Sequence, residues 1–309
     1  MRSLPLCALA LSAAGLITAA AHAEPLFGLT SNNRLVSFDS SMPTSTAAPM
    51  AITGLQAGEN LLGIDFRPST NQLYGLGSSG RLYTLSTTTG AATAVGASTF
   101  SVPLSGTSFG FDFNPTVDRI RVISNTGQNL RLNPITGDTV DGDPATPGIQ
   151  GDGMIRFASS DRNANFTPRI VGSGYTNSVA GATSTVLYNI DAATNSLTIQ
   201  GTMPGVMPAI SPNLGQQFTI GSLMLDPGSI VGFDISGQTG MAYLATLMSG
   251  MPGSSLYRVD LGTGATTLVG SIGSSESYIL TDIAVAVPSP AAGALLGLGS
   301  LVALRRRRA

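Results

Sequence analysis

The chain has 309 residues, 42% of them apolar, with only 10% charged and 6% aromatic. All 15 basic residues are Arg, Lys and Trp are absent, and the one Cys (Cys7) and one His (His22) both fall within the first 23 residues. Beyond that leader there is no thiol, imidazole or amine nucleophile, no His base, no Cys or His zinc ligand and no disulfide, and the surface must be built from Gly, Ser, Thr and Asn instead of charge.

Met1 to Ala23 carries Arg2, an apolar stretch from Leu4 to Ile17 and then Ala21-His22-Ala23. A positive start, an apolar core and an A-x-A site make a secretory signal peptide. Signal peptidase is expected to cut after Ala23, leaving Glu24 first. Residues 24–287 are read as one folded domain and 288–309 as a separate C-terminal segment.

The domain is repetitive. Gly63-Ile64-Asp65-Phe66-Arg67-Pro68 recurs as Gly110-Phe111-Asp112-Phe113-Asn114-Pro115, and Gly232-Phe233-Asp234-Ile235 opens a further copy. Leu82-Tyr83 leads to Gly96, Leu187-Tyr188 to Gly201 and Leu256-Tyr257 to Gly270, each over fifteen residues. Within one unit the Asp65 strand is followed by strands at Leu73–Gly77, Arg81–Leu85 and Ala92–Val95, separated by Gly, Asn and Thr turns. No segment beyond the leader has a convincing helical period. Four-stranded units of about 45 residues predict an all-β propeller, because one blade cannot bury both of its faces alone.

Second strands near Leu26–Thr30, Leu73–Gly77, Ile120–Ser124, Ile170–Gly174 and Met241–Thr246 give five blades. A degenerate sixth around Met203–Leu225 is the alternative. The first unit lacks its opening strand, and Leu280-Thr281-Asp282-Ile283-Ala284-Val285 matches the missing type. The C-terminal strand should therefore pair with the N-terminal blade and close the ring. Residues 24–288 hold 10 Arg against 17 Asp and Glu, a net charge of −7, which disfavours nucleic acid as a partner.

After Val287 come Pro288-Ser289-Pro290, an apolar run from Ala291 to Leu304, and Arg305 to Arg308. The apolar run is short for a membrane span, and the Arg cluster would hold its end on the cytoplasmic side. This tail resembles the PEP-CTERM sorting signal of Gram-negative bacteria, with Ser289 where that family usually has Glu. The resemblance implies transient membrane contact, recognition by an exosortase-like membrane protease, cleavage near Pro288, Ser289 and Pro290, and release or attachment at the outer surface. The core in turn resembles domain-of-unknown-function family 4394 in its Leu-Phe-Gly-Leu opening, its Gly-Ile-Asp-Phe-Arg-Pro motif and the Phe-Asp-Phe-Asn-Pro-x-x-Asp-Arg-Ile-Arg-Val stretch at 111–122. That resemblance implies a propeller-like fold and no activity.

Several motifs bear on chemistry. Gly106-Thr107-Ser108-Phe109-Gly110 spells a nucleophile elbow, but no His or following helix is available to activate Ser108. Gly75-Leu76-Gly77-Ser78-Ser79-Gly80 spells a dinucleotide fingerprint, but a strand follows it, which makes it a hairpin. Asp65, Asp112, Asp234 and Asp282 recur at one blade position; they are expected to accept backbone N–H bonds from a turn in their own or the adjoining blade, with a cation-collecting ring at the axis as the alternative. The loop 138–152 carries Asp138, Asp141, Asp143 and Asp152; its EF-hand spacing fails and it reads as a solvated turn, with a calcium site of oxygen ligands as the alternative, for which Asp141, Asp143 and Asp152 are the candidate metal residues. Arg119, Arg121 and Arg131 on adjacent strands could recognise a carboxylate or acidic sugar, or pair with Asp112 and Asp118.

The sequence thus points to an exported, surface-sorted, non-catalytic propeller, a binding or matrix protein without cofactor whose partner is an extracellular polysaccharide or an envelope protein. The alternative is a calcium-assisted hydrolase or lyase acting on extracellular polymer through Asp carboxylates.

Overall fold

The computed structural model of the chain describes residues 23–273 and 278–286. The leader up to His22, Glu276 and the 288–309 tail lie outside these residues.

Five sheets, antiparallel but for one short outer pair of strands in the fourth, radiate from one axis, with five innermost strands side by side around it. Blade I is built from β1 (Pro25–Thr30), β2 (Arg34–Asp39), β3 (Met42–Thr46) and β4 (Met50–Ala51). Blade II holds β5 (Leu61–Arg67), β6 (Gln72–Gly77), β7 (Arg81–Leu85) and β8 (Ala92–Val95). Blade III holds β9 (Phe109–Asn114), β10 (Arg119–Ser124) and β11 (Asn129–Leu132). Blade IV holds β12 (Arg156–Phe157), β13 (Ile170–Tyr175), β14 (Leu187–Asp191), β15 (Ser196–Gln200) and β16 (Gln216–Ser222). Blade V holds β17 (Val231–Ile235), β18 (Ala242–Thr246), β19 (Ser255–Val259) and β20 (Thr266–Ser271). The last strand, β21 (Leu280–Val285), pairs antiparallel with β1, Leu26 opposite Val285 and Gly28 opposite Ile283. It supplies the inner strand of blade I and closes the ring, as the Asp282 repeat predicts.

Tight turns make the blades. Asn33, Asn71, Asp118 and Asn195 connect consecutive antiparallel strands at φ between 50° and 57°, a left-handed conformation that Asn and Asp tolerate better than other side chains with a Cβ. Close approach between inner strands needs glycine. A Cβ at Gly110 would lie 2.0 Å from Ser173 Oγ of the next blade, and one at Gly232 would lie 2.5 Å from the Ile283 backbone nitrogen. The glycine two residues before the repeated Asp thus lets neighbouring inner strands touch.

Two expectations are corrected in blade IV. Ile170–Gly174 lies in the innermost strand β13, not in a second strand; Gly172-Ser173-Gly174 stands where blades II, III and V read Gly-x-Asp, so Gly174, opposite Tyr188 as Asp65 is opposite Tyr74, replaces the Asp and hid the equivalence. The segment read as a sixth blade instead contains β16, which pairs with β15 of the same sheet, preceded by an irregular excursion from 201 to 215 with one 3-10 turn, Pro212–Leu214. Blade III departs from the four-strand pattern: beyond β11 there is only a single bridge, Leu132 to Thr139, and the 138–152 loop.

The core lies between the blades. The seams IV–V, II–III, V–I and I–II each bury a cluster of ten to thirteen apolar residues, whereas the III–IV seam buries five: Ile123, Ile155, Ile170, Tyr175 and Leu187. Polar side chains fill the difference. Asn129, Asn189, Gln200 and Gln217 are each at most 2% exposed. Asn189 donates to Gln200 and Gln217, Gln217 Nε2 donates to Gln200 at 2.8 Å, and Gln200 donates to Asn129 and to the Pro212 carbonyl. Buried amides survive only when their bonds are made, and these form a chain from blade III to Ser173, whose hydroxyl donates to Asn189 at 2.7 Å.

Candidate functional site

Two groups of functional side chains stand out, one on the axis and one at the III–IV seam. On the axis, each repeated Asp joins its own strand to the inner strand of a neighbouring blade. Asp282 accepts N–H bonds from Ile283 and, across the seam, Ile64; Asp65 accepts from Phe66 and Phe113; Asp234 accepts from Ile235 and Val285. Asp112 accepts from Tyr175 of blade IV at 3.0 Å. The expected backbone role is what these residues perform, though the donors are neighbouring strands and not turns.

The same geometry crowds the carboxylates. Asp65, Asp112 and Asp234 bring ligand oxygens within 4.8 Å of one another, all buried. Desolvation, then repulsion from Asp234, pushes Asp65 well above the ordinary carboxylate range; desolvation, then repulsion from Asp65, does the same for Asp112. Burial lifts Asp234 to about 6, with its two backbone N–H bonds pulling the other way, and Asp112 lies within hydrogen-bonding reach of it. Such a trio can share protons or hold a hard cation. Five of its six oxygens already accept a backbone N–H, which makes shared protons the economical solution. EDTA or millimolar calcium should therefore leave the melting temperature unchanged within about 1 °C, since an ion held by the native state alone would stabilise it by mass action; a calcium-dependent rise of several degrees would establish a cation site.

Glycoside chemistry needs substrate between two carboxyl groups. The axial carboxyls are at most 5% exposed. The nearby mouth between the inner strands is a cavity of only about 100 Å³ lined by Leu61, Ser108, Ser229 and Thr281, and Ser108 donates its hydroxyl to the Ser229 carbonyl across it. Ser108 thus fastens two blades, with no base beside it. The glycine-rich 75–80 segment runs from β6 into β7 as the expected hairpin. The two described glutamates are bonded within the fold too: Glu59 accepts from Ser79 and Tyr83, and Glu24 of blade I accepts from Ser236, Thr239 and Tyr243 of blade V.

At the III–IV seam, Arg121 of β10 faces Arg131 of β11 as a cross-strand pair. Like charges opposite one another are destabilising, and Asp152 resolves the conflict. Its side chain, 1% exposed, accepts from Arg121 Nη1 at 2.5 Å and from Arg131 Nε and Nη2 at 2.8 Å each. Arg121 is buried and donates further to Asn129, Tyr175 and Asn213. Asp152 is thereby committed to two guanidinium groups. Asp141 and Asp143 accept backbone N–H bonds within the loop, from Asp143 and Gln150 and from Ala145 respectively, and Asp143 also takes the Thr146 hydroxyl. These three carboxylates are thus spent on separate bonds, and among the described residues the trio that gathers is the axial one. The expected pairing of the arginines with Asp112 and Asp118 is also replaced: Asp118 pairs with Arg67 of blade II, and Asp112 stays on the axis.

A cleft of about 410 Å³ opens over this arrangement, lined by Arg119, Arg121, Arg131, Tyr175, Ser211 and Asn213. Arg119 bonds only the Asp118 carbonyl through Nη1. The blade IV contributors were not legible beforehand; Ser211-Pro212-Asn213, in which Ser211 caps the 3-10 turn and turns Asn213 toward Arg121, was the available signal.

Together these features define a five-bladed β-propeller with a cationic cleft at its least apolar seam. The chain belongs to the family described as "Domain of unknown function (DUF4394)", which it matches over residues 34–284. Comparison with curated proteins gives no match. Among solved structures the chain is similar to a structural genomics protein of unknown function from Bacteroides thetaiotaomicron, at 14% identity and a TM-score of 0.41, covering 82% of this chain and 64% of that one. It is similar also to a chain of a nidogen/laminin complex, at 12% identity and a TM-score of 0.42, covering 86% of this chain and 98% of that one.

Proposed function

We propose that the protein is exported, sorted to the outer cell surface, and acts there as a non-catalytic binding propeller through the cleft between blades III and IV. The observation that carries the binding role is the cleft: three of the ten arginines of residues 24–288 line it, in a domain otherwise net acidic. Loops and seams held on a rigid scaffold are where binding usually sits. The hydrolase or lyase alternative gains no support from the axis, where the carboxylates are buried and bonded to backbone.

Export is supported at the start of the fold. Ala23 is exposed, whereas Glu24 is 5% exposed, with its backbone N–H on Ser40 and its carboxylate on blade V. Cleavage after Ala23 would leave the folded blade intact. Among the described residues no helix is long and apolar enough to cross a membrane; the proposed exosortase substrate is the 288–309 tail. Signal peptidase and an exosortase-like protease are the processing partners of this reading, and an extracellular polysaccharide or envelope protein is its ligand. Deleting residues 288–309 should move the protein from the surface-retained to a different fraction of cells and medium. Unchanged fractionation overturns the sorting claim.

A further inference from the structure

The cleft does not end at its arginines. It continues into a second hollow of about 310 Å³ that shares Asn114, Tyr175 and Pro212 with it. The two halves differ in chemistry. The first holds the three guanidinium groups against the one buried carboxylate of Asp152, an excess of positive charge where an anion would be neutralised. The second carries no charge: Thr116, Thr183, Thr185 and Thr202 line it beside the apolar Val186 and Pro204.

The donors of the first half are not all spent. Arg131 uses Nε and Nη2 on Asp152 and the Asp141 carbonyl, which leaves Nη1 without an acceptor among the described residues. Arg119 likewise keeps Nε and Nη2. Arg121 is fixed by four acceptors and serves as a rigid charged floor. A guanidinium with two adjacent free N–H groups matches a carboxylate in a fork. An uncharged extension that mixes hydroxyls with small apolar side chains matches a sugar, whose ring carries both hydroxyls and an apolar C–H face, whereas an acidic peptide would look for an unpaired strand edge.

We propose that this groove binds an acidic oligosaccharide, seating a uronate carboxylate on Arg119 and Arg131 and the adjoining sugar hydroxyls along Thr116, Thr185 and Thr202. This deepens the binding role proposed above and rests on it. Because Arg121 and Asp152 hold the floor while Arg119 makes only one backbone contact, Arg119 is the residue whose loss removes binding without disturbing the fold.

The test is titration calorimetry of the purified full chain with tetragalacturonate, its fully methyl-esterified counterpart and a tetraglutamate peptide at low ionic strength. Tetragalacturonate should bind, the ester should bind at least tenfold more weakly, and added salt should weaken the acid form. Arg119→Gln should reduce affinity for the acid about tenfold while its melting temperature stays within 1–2 °C of the parent; Thr185→Val should weaken acid and ester alike by shortening the hydroxyl track. Binding of tetraglutamate but not tetragalacturonate would overturn the saccharide class and leave the cleft as a binding site. Binding of the saccharide undiminished in Arg119→Gln would overturn the assignment of the carboxylate to this cleft. Absence of binding by all three probes would overturn the saccharide proposal and the binding cleft together.

Discussion

Acidification from pH 8 to pH 5 should stabilise this protein, and Asp112→Asn should remove much of that dependence. The axial carboxyls have their pKa raised by folding, Asp234 from 3.8 to about 6 and Asp65, Asp112 and Asp282 well upward. A group of this kind binds more protons folded than unfolded, so its stabilisation is complete below about pH 4 and is lost as pH rises through its folded pKa. For Asp234 alone the whole loss, spread from below pH 4 to above pH 6, is about 3 kcal/mol. Carboxylates with pKa lowered on folding act in the opposite sense, Asp118 through Arg67 and Asp138 against its own desolvation through Ser101 and Thr139, but their contribution fades only as pH falls toward 4 and below. The pH 5–8 window therefore isolates the axis.

Asp112 is the member that can be neutralised without breaking a backbone bond. Its Oδ1 accepts the Tyr175 N–H, while no backbone donor reaches its Oδ2. Asparagine keeps the carbonyl for Tyr175 and can donate its amide toward Asp234. At an effective dielectric near 20, two charges within 4.8 Å of one another repel by about 3 kcal/mol or more. Thermal melts of Asp112→Asn should therefore rise by roughly 5 °C at pH 8 and converge with the parent near pH 5. Asp234→Asn should do the opposite, because one of the Ile235 and Val285 N–H groups loses its acceptor, at about 1–3 kcal/mol at every pH. Parallel pH profiles for the parent and Asp112→Asn would show that the axis does not titrate in this range.

The contrast between axis and cleft explains what the sequence made legible. The fold was readable because propeller geometry repeats: Gly-x-Asp opens the inner strands of blades II, III and V, Asp282 supplies the same strand for blade I, and each motif is dictated by contacts that recur around the ring. Blade IV escaped because Gly174 replaces the Asp, and because the excursion before β16 lengthens the spacing. The proximity of Asp65, Asp112 and Asp234 follows from ring closure, which no local pattern encodes. The cleft was half visible. Its arginines alternate along β10 and β11 and could be named, but the partner that makes them compatible comes from a loop whose return path depends on tertiary packing. Read locally, Asp152 looked like one oxygen ligand among several; in the fold it is the counter-ion of two strands.

That role predicts the second large effect. Asp152→Ala would leave Arg121 and Arg131 facing each other, with Arg121 only 3% exposed. Removing one partner of a buried pair costs about 3–5 kcal/mol, so the variant should melt roughly 10 °C or more below the parent. It should also become sensitive to proteases between residues 138 and 152, since the Asp152 carboxylate anchors that loop to blade III while its backbone N–H holds Asn129 O at 2.9 Å. Calcium should restore nothing. Arg121→Met in the same chain should recover part of the loss, because it takes away the uncompensated buried charge; a double-mutant cycle measures this coupling directly. Near-additive losses in the cycle, or an Asp152→Ala melt within about 2 °C of the parent, would mean that the guanidinium pair is tolerated without its carboxylate. A strong positive coupling would instead show that the cleft's charge is preset by the fold: one acid holds two bases in place, and Arg119, outside that bargain, is left to meet a ligand.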